Sequence, residues 1–253
     1  MTADPLAPLM ELPGVAEASD RARDALGRAH RHRANLRGWP VTAAEAALRA
    51  ARASSVLDGG PVRFEDLADN TAVSDLVFGG ALRVAQALEG GGGALVGVWR
   101  RAPLQALARL HMLAAADQVD DDQLGRPRAD REVGPRLELL AELVTGRTQV
   151  PAPVVAAVAH GELLTLKPFG SADGVVARAV SRVVTIASGL DPHGLGVPEV
   201  GWMRKPGDYR AAASGFADGT PGGVGAWLVL CCRAMQAGAQ EALSIAESLP
   251  GKS

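Results

Sequence analysis

The chain has 253 residues, 47% of them hydrophobic, which is enough for a proper core and excludes a polypeptide disordered throughout. A formal charge of −2 provides no basic stripe, so no nucleic-acid partner is expected. Aromatic residues make up only 4% while alanine, leucine and glycine dominate, so helix is the expected structure throughout.

Met1 to Gly14 contains Pro5, Pro8 and Pro13 and reads as a loose arm. It has no charged start followed by an apolar run and so does not read as a signal peptide. Val15 to His32 carries alanine and mixed charge at helical density. His30 and His32 stand two apart, on different faces of such a helix, and are read as solvated side chains rather than metal ligands.

Thr42-Ala43-Ala44-Glu45 has the form of a capping box and predicts a helix from Thr42 to Leu57, stopped by Gly59-Gly60-Pro61. Two parts follow: an N-terminal arm and helix over 1–40, and one helical domain over 41–253. The final turn, Ser54 to Gly59, places Asp58 at the negative end of the macrodipole. That costs a few tenths of a kcal/mol unless a cation answers it.

Phe64 to Leu67 leads toward a helix from Ser74 to Leu88, with Leu76, Val77, Val84 and Leu88 inward and Gly79-Gly80 as a weak point. Gly90 to Gly93 lacks the Gly-Lys-Ser/Thr of a phosphate loop and reads as a connector. Pro103 suits the first turn of a helix on which Leu104, Leu107, Ala108 and His111 share an inner face. Asp120-Asp121-Asp122 points its three acids in different directions and reads as a solvated loop.

Pro151 and Pro153 open a helix that Pro168 ends. Ser171-Ala172-Asp173 supplies cap residues for the next helix, Gly174 to Ser188, with Val176, Val180, Val183 and Val184 buried. Gly189 to Gly207 reads as a Gly/Pro-rich linker, and Gly222 to Leu249 as a long closing helix with Trp227, Leu228 and Met235 in the core. The adjacent Cys231 and Cys232 would form a strained bridge and fit a reduced, cytoplasmic protein. The longest apolar run, Val224 to Cys232, is far below the roughly 20 residues of a membrane span, so no membrane partner is expected.

Two stretches together carry a resemblance. His160 to Arg178 reads HGELLTLKPFGSADGVVAR and resembles the signature loop of the Fic/Fido family, HPFxDGNGRxxR, in which a second histidine often lies seven residues earlier, here His160. Ser54 to Gly59 resembles the inhibitory-helix motif [ST]xxx[ED][GN] of many members. The resemblance implies an all-α, Fic/Fido-like helical bundle with at most a short β-hairpin. Active members transfer AMP from ATP to a protein hydroxyl.

The loop keeps Pro168, Phe169, Gly174 and Arg178. The family's catalytic histidine falls on Lys167, and a lysine near 10.4 would have to fall to about 7, roughly 4 kcal/mol, to act as a base. The metal-binding acid falls on Ser171, a weak ligand for Mg²⁺. The first arginine becomes Val175. The asparagine becomes Asp173, whose carboxylate at a helix N-terminus would repel ATP.

The resemblance thus implies no intact catalytic set, an anion loop of Phe169, Ser171, Asp173, Gly174 and Arg178, no metal ligand, and His160 in a supporting role. It also implies an inhibitory motif of Ser54, Asp58 and Gly59, with Asp58 paired to Arg178. The leading expectation is a degenerate pseudoenzyme acting as a binding or regulatory module, with a protein partner or target and a homodimer both open. One alternative is a transferase with altered residues moving AMP or another phosphate-containing group, for which ATP with Mg²⁺ would be the cofactor. A generic helical domain is the other.

Overall fold

Proline marks the start of one helix after another. Its missing N–H costs nothing in a first turn, and Pro103, Pro153, Pro198 and Pro206 each stand at one of the first two positions of a helix. A computed structural model describes residues 4–60 and 75–248. In chain order the helices are α1 (Val15–Arg31), α2 (Arg33–Leu57), α3 (Leu76–Leu88), α4 (Gly93–Trp99), α5 (Pro103–Ala115), α6 (Val133–Glu142), α7 (Ala152–Leu166), α8 (Asp173–Ala187), α9 (Pro198–Arg204), α10 (Pro206–Ala217) and α11 (Pro221–Ser248). No strand occurs among the described residues. The expected lead from Phe64 to Ser74 lies outside them.

The core is an alanine- and valine-rich layer around α8, against which α7, α5, α3 and α4 pack. A second, aromatic cluster joins α7, α9, α10 and α11 through Trp202, Tyr209 and Trp227. Small residues set the close crossings. A Cβ on Gly80 would overlap the Ala114 backbone, so Gly79-Gly80 is where α3 meets α5 rather than a weak point. Leu76, expected inward, is exposed, as is Leu104.

Several N-terminal expectations are corrected. The helix called from Thr42 starts at Arg33 and runs through Pro40, so a boundary at residue 40 falls inside α2. Both capping-box side chains are spent elsewhere: Thr42 Oγ1 donates to Asn35 Oδ1 at 2.7 Å, and Glu45 accepts from Arg49 Nε at 2.7 Å. The arm is anchored, because Asp4 Oδ2 accepts from the Gln149 N–H at 2.6 Å and Thr148 Oγ1 at 3.1 Å, while Leu9 and Leu12 pack on the aromatic cluster. His30 is not solvated surface, since its Nε2 lies 2.7 Å from Asp191 Oδ1.

The expected linker is also structured. Leu195, Val197 and Trp202 are buried, and α9 lies so close to α11 that a Cβ on Gly238 would overlap the backbone of Val197 and Pro198. Apolar residues between the glycines drive that docking.

Candidate functional site

α7 stops where Pro168 forbids another helical turn, and Lys167 enters the left-handed region at φ 47. The turn from Lys167 to Ala172 is then fastened from outside by Arg128. Its N–H donates to Pro168 O at 2.7 Å, its Nε to Lys167 O at 2.9 Å and its Nη2 to Leu166 O at 3.1 Å. These bonds satisfy carbonyls that the end of α7 leaves free. The Lys167 side chain is exposed.

His111 holds the middle of the loop. Its ring stacks on Phe169 with centroids 4.0 Å apart and planes 6° from parallel. Its Nδ1 accepts from the Gly125 N–H at 2.9 Å, so the neutral ring carries its proton on Nε2 and donates to Ser171 Oγ at 3.0 Å. Burial lowers the His111 pKa and favours this neutral form. His111 is therefore buried, as expected, but serves the loop rather than the general core.

Ser171-Ala172-Asp173 does not cap α8. Ala172 takes the cap position at φ 50 with no side-chain bond, because Asp173 turns back into the loop and its Oδ1 accepts from the Phe169 N–H at 2.9 Å. Burial raises the Asp173 pKa against these loop bonds.

The next residue carries the main feature of the site. A Cβ on Gly174 would overlap both oxygens of the Asp58 carboxylate, which therefore lies directly on the first turn of α8. One turn further on, Arg178 is 1% exposed. Its Nη2 is 2.9 Å from Asp58 Oδ1 and 2.9 Å from Ser54 O, and its Nε donates to Ser54 Oγ at 2.8 Å. The acid misplaced on α2 thus finds its cation on α8. Gly59, at φ 93, turns the chain away immediately after it.

Behind Arg178, His160 is fully buried, with Nε2 2.8 Å from the Tyr209 hydroxyl and the rings of Trp202 and Trp227 against it. Burial, then the charge of Arg178, lowers its pKa well below 6.5. Burial also pushes Tyr209 up to about 12. The structure thus brings together Ser54, Asp58, Gly174 and Arg178, joins Phe169 and Ser171 to His111 and Asp173 to Phe169, and leaves Lys167 outside. Sequence reasoning missed Tyr209 and Arg128; the helical run after Pro206 signals the first, whereas nothing in the exposed segment around Pro127 signals the second.

The geometry defines an all-helical class of protein in which a tight loop between two buried helices faces the end of a third. No family model and no curated protein matches the sequence. Among solved structures, the chain is similar to a Fic family protein from Desulfovibrio desulfuricans G20, with a TM-score of 0.67 and 16% identity over 95% of this chain and 77% of that one. The fold is that of a Fic family protein.

Proposed function

We propose that the chain is a degenerate Fido-domain protein that has lost AMP transfer and serves as a binding or regulatory module. The observation that carries this reading is the Asp58 carboxylate, seated on Gly174 and Arg178 where an anion would need to lie. A helix N-terminus with an arginine one turn along suits a phosphate. Here a carboxylate of the same chain takes that place.

The remaining groups do not fit a magnesium nucleotide. The Ser171 hydroxyl is already bonded to His111, and Asp173 adds a second carboxylate at the start of α8. Lys167, at the position of the catalytic histidine, lies exposed. Binding of a partner protein is the role this leaves.

ATP titrated calorimetrically into the unmodified chain, with and without Mg²⁺, tests the reading. No saturable heat is expected. Binding as tight in the unmodified chain as in Asp58→Gly would defeat it.

A further inference from the structure

Away from this loop, the end of α1, the start of α2 and the turn after α8 enclose a surface cleft of about 390 Å³, lined by His30, Asn35, Trp39, Leu190 and His193 among others. Behind His30, the buried Asp191 accepts the N–H groups of Leu195 and Gly196, each at 2.9 Å, which fixes its carboxylate. His30 Nε2 lies 2.7 Å from Asp191 Oδ1. An ionised carboxylate only accepts, so Nε2 carries the proton and Nδ1 offers a lone pair. His193 is held differently: its ring stacks on Trp39 with centroids 4.0 Å apart and planes 6° from parallel. The two imidazole centroids are 5.7 Å apart.

We propose that His30 and His193 form an open binding site for a divalent transition-metal ion of the Zn²⁺ type, with Asp191 orienting His30 from behind. Imidazole nitrogens lie about 2.0–2.1 Å from such an ion, which puts ring centroids roughly 5–6 Å apart when both bind one metal. The spacing here falls in that range. A carboxylate on the far nitrogen is the usual partner of a metal-bound histidine, because it fixes tautomer and ring direction and raises basicity. Asp191 is in that position, and the stack on Trp39 removes rotational freedom that His193 would otherwise lose on binding.

Among the described residues no group of three or more His, Cys, Asp and Glu side chains could hold a metal, so the site offers two protein ligands and leaves the others to water. Such a site accepts imidazole-preferring ions and discriminates against Mg²⁺ and Ca²⁺, which need oxygen ligands. His32, two residues beyond His30, instead faces Glu247 at 3.8 Å.

The test is a calorimetric titration of Zn²⁺ into tag-free chain at pH 7.5, with far-UV circular dichroism confirming the fold of each variant. The unmodified chain binds one ion saturably. His193→Ala and His193→Gln each weaken binding at least tenfold, Asp191→Asn weakens it about 10–100-fold, and His32→Ala leaves it unchanged. Absence of saturable binding in the unmodified chain, or equal binding in both folded His193 variants, overturns the proposal.

Discussion

Arg178 and Asp58 meet at 2.9 Å across 120 residues of chain, with the guanidinium 1% exposed and the carboxylate side chain 25% exposed. The asymmetry decides the energetics. A buried guanidinium that loses its partner retains its desolvation cost, whereas a carboxylate near water recovers hydration.

Asp58→Ala therefore destabilises the chain by about 1–3 kcal/mol, below the full cost of an unpaired buried charge because Ser54 still holds Arg178. Arg178→Met costs less, since it removes the buried charge itself. Urea unfolding of both variants checks the order; a larger loss in Arg178→Met would contradict it.

Gly174→Ala reaches the same contact without touching either charge. Its methyl group displaces the Asp58 carboxylate and costs about 1–3 kcal/mol by overpacking. In an Asp58→Ala background the obstruction is absent, and alanine becomes neutral or mildly favourable as a helix former. The double-mutant cycle measures this coupling. Additive effects would place the carboxylate elsewhere.

The legible part of this site was a conflict: an acid at the wrong end of α2 and an arginine in α8, each explained by the other. The capping box misled because its side chains found tertiary partners, Asn35 for Thr42 and Arg49 for Glu45. Glycine and proline between 189 and 207 signalled a linker, yet Leu195, Val197 and Trp202 bury the segment. His30 depends on an aspartate 161 residues away, a pairing that no local pattern contains.

Acid weakens the fold through several groups, and His160 and Asp191 are two that lie deeply buried. His160 has a folded pKa well below its ordinary 6.5, so between those values the unfolded chain takes up a proton that the folded chain refuses. Its contribution is complete above about 6.5 and is lost as pH falls. Asp191 acts lower: burial alone would raise its pKa, but the bond from His30, with the Gly196 N–H and the nearby Arg182 guanidinium, lowers it from 3.8, so its contribution is lost as pH falls through that region. Urea unfolding at pH 7 and pH 5 should show a smaller loss in His160→Gln than in the unmodified chain. Equal losses would remove His160 from the account.

Ala172 holds a left-handed conformation at φ 50 that costs a residue with a Cβ about 1–2 kcal/mol. Ala172→Gly relieves that strain, and after the added freedom of the unfolded chain a gain of about 0.5–1 kcal/mol remains. Thermal unfolding detects it. A loss of stability would mean that the methyl group contributes packing the loop requires.

The central claim is tested most directly by incorporation of labelled AMP from ATP, with Mg²⁺, into the chain itself and into added protein extract. The unmodified chain is expected to give no incorporation above background, and Asp58→Gly alone is expected to stay silent, because the proposed reading puts Lys167 and Ser171 at the positions of the base and the metal-binding acid. Incorporation by the unmodified chain that depends on Mg²⁺ and is abolished by Arg178→Met would contradict it.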